Sequence, residues 1–156
     1  MANETFKMSE WLNFSPKQLE ATAIADTHKY NLYGGAAGGG KSYWLRKYSI
    51  RWLIKTYLDH GFENVVAALF CEDYPTLKDR HVSKLDVEIP KWMGELKDTK
   101  SHGLCVKLNK DLGNGILLLR NLDDPSKYMS TEFALIAVDE LTMDPKEVFE
   151  NLRALS

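Results

Sequence analysis

Apolar and polar positions along this chain fall into blocks, some with the period of a helix and others with that of a strand. Residues 41–58 place Leu45, Tyr48 and Trp52 on one side at helical spacing, which predicts a helix with one packed face. Lys47, Arg51 and Lys55 recur every four residues on another side, and Gly61 is well placed to end the helix. Upstream, Ser15-Pro16-Lys17-Gln18 reads as a helix start, with serine as N-cap, proline in the first turn and glutamine as the reciprocal capping partner. That helix is expected to run to residue 29. A short strand over residues 30–33 then delivers the chain into a glycine-rich loop.

Two apolar runs, 64–70 and 133–138, have the character of buried strands. Between them, Pro75 opens a predicted helix through residue 85 and Pro90 closes the region. Residues 104–108 and 116–120 are strand-like on either side of Asn114-Gly115, a tight-hairpin signal. Residues 122–131 read as a loop, and Asp144-Pro145 as the cap of a last helix. Strands alternating with helices predict an α/β fold, with a mainly parallel sheet and right-handed crossovers.

Composition narrows this picture. A chain of 156 residues with 44 % hydrophobic content holds one ordinary core and no second large domain. No apolar run approaches the roughly 20 residues of a membrane span, and residues 1–10 lack the apolar stretch of a signal peptide. Cys71 and Cys105 have no metal-type spacing and read as reduced thiols of an intracellular protein. A net charge of −2 gives no global attraction to nucleic acid, so any DNA contact needs a local basic patch. Two such features exist, the stripe Lys47, Arg51, Lys55 and the cluster Lys78, Arg80, His81, Lys84, although a solvated face is the usual explanation for such patterns. Trp11, Trp44, Trp52 and Trp92 could stack on bases, although their apolar spacing favours core packing.

The candidate chemistry is concentrated in two segments. Residues 35–42 read GAAGGGKS, filling every fixed position of G-x-x-x-x-G-K-[ST]. From average composition, the pattern should arise by accident in about one chain of this length in two hundred. Glycines let successive backbone N–H groups turn inward on a phosphate chain, so Gly35, Ala36, Ala37, Gly38, Gly39, Gly40 and Tyr43 join Lys41 and Ser42 as the nucleotide cradle. Lys41 would contact the β- and γ-phosphates, and Ser42 would offer a hydroxyl to Mg²⁺. The second segment, ALIAVDE at 134–140, is an apolar strand ending in two carboxylates, which lie where α/β sheets bind ligands. Asp139 could hold Mg²⁺ opposite Ser42, and Glu140 could polarise a water for attack on the γ-phosphate. Alternatively both acids only cap the following turn. Gln18 is likewise open between its capping role and reading an adenine edge through its amide.

Taken together these residues resemble the ATPase part of the large terminase subunit, the motor that packages DNA into tailed-phage capsids. The matching features are FSPKQLEA at 14–21, GGAAGGGKS at 34–42, LFCEDYPTLKD at 69–79, NGILLL at 114–119, SKYMSTEF at 126–133 and ALIAVDELT at 134–142. The resemblance runs along nearly the whole chain. It implies a three-layer P-loop NTPase fold of the additional-strand type, with helices on both sheet faces and a β-hairpin. It also implies a Mg²⁺-dependent ATPase coupled to translocation of double-stranded DNA, working in a homo-oligomeric ring with a portal protein and a small terminase subunit in the host bacterial cytoplasm. Gln18 would belong to the adenine motif, Lys41 and Ser42 to the phosphate loop, and Asp139 and Glu140 to the metal and catalytic positions.

The chain also departs from that family. Arginines that often follow the second strand are replaced by Cys71, Glu72 and Asp73. Where many members carry an arginine used in trans by a neighbouring subunit, this chain has Met129, so Lys127 becomes the first candidate cation and Arg120 the second. Family members continue into a coupling strand and a nuclease domain, whereas this sequence reaches Ser156 after one further predicted helix. The resemblance therefore implies a fragment or one part of a split protein, of marginal stability alone. Two other functions stay open: a nucleotide-dependent assembly module without productive hydrolysis, and a helicase-like remodelling ATPase.

Overall fold

The computed structural model describes residues 2–31, 40–123, 132–139 and 150, with side chains from position 7 onward. Helices α1 (Ala2–Leu12) and α2 (Pro16–Thr27) precede the long helix α3 (Lys41–His60). Strand β1 (Val66–Cys71) follows, then a continuous helical segment made of α4 (Tyr74–Leu77), a π turn (Lys78–Val82) and α5 (Ser83–Glu88). Strands β2 (Gly94–Thr99), β3 (Gly103–Leu108), β4 (Ile116–Asn121) and β5 (Leu135–Val138) complete the described elements.

The helix boundaries have local causes. At α2 the capping box forms as its sequence suggests: Gln18 N–H donates to Ser15 Oγ and Ser15 N–H to Gln18 Oε1. Gly61 ends α3 in the left-handed conformation, its N–H bonding Tyr57 O. At α4, Asp73 accepts from Thr76 N–H at 2.8 Å and Pro75 occupies the first turn.

The five strands form one sheet in the order β2-β3-β4-β1-β5. β1 is parallel to both β4 and β5, with Ala68 opposite Leu118 and Ile136. β2–β3 and β3–β4 are antiparallel, so the sheet is mixed, not mainly parallel as expected. The difference comes largely from β2, whose sequence GELKDT has few apolar residues to announce a strand. As an end strand it exposes Glu95, Lys97 and Asp98, the charges that deter further pairing at a sheet edge. The β3–β4 hairpin forms, but its connection carries a 3₁₀ turn (Lys110–Leu112) and left-handed Gly113 and Asn114 instead of a two-residue turn. Tyr57 of α3 sits against that turn; a Cβ on Gly113 would lie 2.5 Å from its ring.

β1 is apolar throughout because both faces are covered. Ala67, Leu69 and Cys71 pack with Met8, Ile50, Leu53, Ile54, Leu77 and Leu85, so α1, α3, α4 and α5 contribute to the core on one face. Ala68 and Phe70 face the other way, towards Cys105, Leu118, Leu122 and Phe133. Helices on both faces were expected; among the described residues the helical layer lies on one, and of the residues expected to form a last helix only Glu150 is described, in helical conformation. Trp44 is buried, and Trp11, Trp52 and Trp92 pack against the core, as their spacing suggests.

The basic stripe on α3 proves to be largely structural. Lys47 is 5 % exposed; its ammonium donates to Trp11 O at 2.7 Å and lies 3.9 Å from the Trp11 ring centre. Arg51 pairs with Asp26 at 2.8 Å and Lys55 with Asp59 at 3.2 Å. Lys47 and Arg51 tie α3 to α1 and α2, whereas Lys55 is exposed and pairs within α3, so the three do not form one open cationic face.

Candidate functional site

The sheet topology brings the end of β5 next to the start of α3. Because β1 and β5 are parallel and in register at Phe70 and Val138, the next residues, Cys71 at the end of β1 and Asp139 just past β5, lie side by side. Asp139 N–H donates to Phe70 O at 2.8 Å, which extends the ladder one step and fixes the backbone at the carboxylate. Asp139 is 5 % exposed.

Ser42, in the first turn of α3, donates its hydroxyl proton to Asp139 Oδ2 at 2.5 Å. Two residues 97 positions apart thus meet at the carboxyl edge of the sheet. Gly40 precedes the helix with φ +78°, a conformation that glycine adopts without strain, and its carbonyl accepts the first helical bond from Trp44 N–H. Gln18 joins here too: its Nε2 donates to Gly40 O at 3.1 Å while Oε1 serves the α2 cap. Its capping role is therefore real, and the same amide ties α2 to the loop end that precedes α3.

His81 completes the arrangement, with Nε2 at 2.8 Å from Asp139 Oδ2 and no exposed surface. The sequence reading placed it in a basic cluster. A better signal was its spacing: Leu77, His81 and Leu85 recur every four residues, and all three are buried. The π turn carries His81, and Ser83 N–H bonds to Lys78 O across it. Burial works against the charge on Asp139, but hydrogen bonds from His81 and Ser42, with the Arg80 charge nearby, outweigh it and hold its carboxyl below the ordinary aspartate value.

A hydroxyl and a carboxylate converging at one point are hard oxygen donors of the type that bind Mg²⁺, so Ser42 and Asp139 fit that ion. Lys41 opens the same helix. The Tyr43 side chain turns the other way, its hydroxyl donating to Leu12 O at 2.8 Å. Gly35, Ala36, Ala37, Gly38, Gly39, Lys127 and Glu140 lie outside the described residues. Arg120 is half-buried: its guanidinium donates to Leu104 O at 3.0 Å, Leu119 O at 2.9 Å and His102 O, and burial lowers its pKa. It braces the β2–β3 turn and does not present a free cation to a neighbouring subunit. In the other basic cluster Lys78 and Lys84 are exposed, with exposed Asp79 and Asp86 between and beside them, and His81 is internal.

Comparisons with protein-family models, curated proteins and solved structures found no match to this chain.

Proposed function

We propose that this chain is a Mg²⁺-dependent ATP-binding and ATP-hydrolysing module, of the kind that drives double-stranded DNA through a ring of subunits in a terminase packaging motor. The observation that carries the reading is the Ser42–Asp139 contact. It joins the last position of the glycine-loop pattern to the end of an acidic strand, and the acidic pair gains its nucleotide reading from being combined with that loop. The P-loop NTPase type of the fold belongs to the same proposal.

In this reading the backbone of residues 35–40 cradles the phosphates and Lys41 contacts the β- and γ-oxygens. Ser42 and Asp139 would hold Mg²⁺, which supplies charge neutralisation at the phosphate oxygens when bound. His81 keeps the Asp139 carboxylate oriented from behind. Glu140, next in the sequence, accepts the proton of the attacking water.

Binding of a fluorescent ATP analogue, titrated with Mg²⁺, tests the site. Lys41→Ala should lose affinity and turnover together. Glu140→Gln should retain binding and lose turnover when assayed with DNA in an assembled motor. Near-normal turnover of Glu140→Gln would reject its role as base, and binding indifferent to both Mg²⁺ and Lys41 would reject the site. The internal engagement of Arg120 favours one alternative, a nucleotide-dependent assembly module that does not hydrolyse. Phosphate release at high protein concentration with DNA separates the two.

A further inference from the structure

Asp139 has a second set of neighbours that Mg²⁺ chemistry does not use. Cys71 ends β1 beside Asp139, and His81 comes down on both from the π turn. All three are buried, and one donor atom from each, a sulfur, an imidazole nitrogen and a carboxylate oxygen, lies within 4.8 Å of the others. A hard ion such as Mg²⁺ would leave the sulfur and the imidazole unused.

We propose that Cys71 Sγ, a ring nitrogen of His81 and a carboxylate oxygen of Asp139 form a three-ligand site for a thiophilic divalent cation such as Zn²⁺. Thiolate, imidazole and carboxylate are the donors that ion takes, and three protein ligands leave a fourth position open. The state of His81 supports this. Its Nε2 faces Asp139, but Nδ1 is buried without a hydrogen-bond partner among the described residues. Asp139 accepts from Nε2–H, and with Nδ1 open the ring proton can move there, which frees the Nε2 lone pair for a cation. Zinc–ligand bonds of about 2.0–2.3 Å in a tetrahedron set the donors about 3.3–3.6 Å apart. The His81–Asp139 pair, now 2.8 Å apart, must open by about half an ångström, and the sulfur must fall within that spacing. Binding releases the thiol proton to solvent, while the imidazole keeps its single proton, which moves from Nε2 to Nδ1 as Nε2 takes the metal.

An occupied site would withdraw Asp139 from the Ser42 partnership and so oppose Mg²⁺–nucleotide binding. That consequence rests on the proposed function; the metal site itself does not. The test is titration of the full chain with Co²⁺, read by thiolate-to-cobalt charge-transfer absorption. The expected result is one equivalent bound, the band lost in Cys71→Ala and retained in Cys105→Ala, whose sulfur lies on the other face of the sheet. No band in the wild-type chain, or a band that survives Cys71→Ala, would overturn the proposal. Should Cys71→Ala fail to fold by circular dichroism, X-ray absorption of the wild-type chain with Zn²⁺ decides: one sulfur in the coordination shell supports the site, and none removes it. Loss of nucleotide binding alone would count against the ATPase reading and leave the cobalt result standing.

Discussion

Ser42 Oγ and His81 Nε2 converge on a single atom, Asp139 Oδ2, at 2.5 and 2.8 Å. One partner comes from the first turn of α3 and the other from a π turn, so the carboxylate at the end of β5 is gripped by two separate helical segments. A buried carboxylate needs such partners, because each removed donor leaves desolvation uncompensated. His81→Ala should therefore destabilise the chain by about 1.5–3 kcal/mol, the usual worth of a hydrogen bond to a charged group, with a cavity term added. Urea unfolding measures it. A loss below about 0.5 kcal/mol, the size of an ordinary surface substitution, would show that the contact is not made.

Gly40 is constrained twice. Its φ is +78°, and a Cβ there would lie 2.7 Å from Gln18 Nε2. Gly40→Ala should cost about 1–2 kcal/mol through left-handed strain and displacement of the amide. The amide is the movable end of a side chain, so Gln18→Ala should relieve the steric part and leave the backbone part. A double-mutant cycle in thermal unfolding distinguishes them; strict additivity would mean that the two residues do not touch.

Much of this architecture was legible wherever one local signal had one local cause. Ser15 and Gln18 formed the predicted box, Gly61 stopped α3, and the apolar runs around Leu69 and Ala137 became strands. Strand β2 was not legible, because at an end of the sheet its stability comes from pairing with β3 rather than from its own apolar content. Helix α1 was missed for a related reason: it reads as polar, yet Met8 is buried and Trp11 and Leu12 dock on the core, with Trp11 Nε1 donating to Glu88 O at 2.7 Å. Asn114-Gly115 was over-read, since the left-handed pair at Gly113 and Asn114 serves a longer connection packed on Tyr57. At the site, Ser42 and Asp139 could be paired on motif grounds alone. His81 could not, because a histidine among lysines and arginines resembles a surface cation until its four-residue spacing with Leu77 and Leu85 is weighed.

Glu88 is the counter-charge for two buried cations. Arg46 Nε lies 2.6 Å from one of its oxygens and Lys47 Nζ 3.9 Å from the other, and burial pushes the lysine pKa down despite the carboxylate. Removing one partner of a buried ion set costs more than the set contributes, because the remaining charges stay desolvated. Glu88→Ala should cost about 3–5 kcal/mol by chemical denaturation. Glu88→Gln should cost less, since its amide can still accept from Arg46. Equal losses in the two variants would show that charge is not what matters here.

Asp26 links α2 to α3 through Arg51 at 2.8 and 2.9 Å and through the Tyr48 hydroxyl at 3.0 Å. Partial burial opposes its charge, but the Arg51 and Tyr48 hydrogen bonds and the Arg51 charge prevail, holding the carboxyl below its ordinary value. The sign of the linkage follows. A depressed folded-state pKa means that the unfolded chain takes up its proton first, so the stabilisation is complete above the unfolded value of about 3.9 and is lost as pH falls through the lower folded value. The stability difference between wild type and Asp26→Asn should therefore be flat from neutrality down to about pH 5 and then shrink with further acidification. Tyr48, whose pKa is raised by burial and by Asp26, stays protonated throughout that window and does not complicate the comparison. Paired urea titrations across the acid range measure the difference, and one that grows on acidification would reverse the assigned direction of the Asp26 shift.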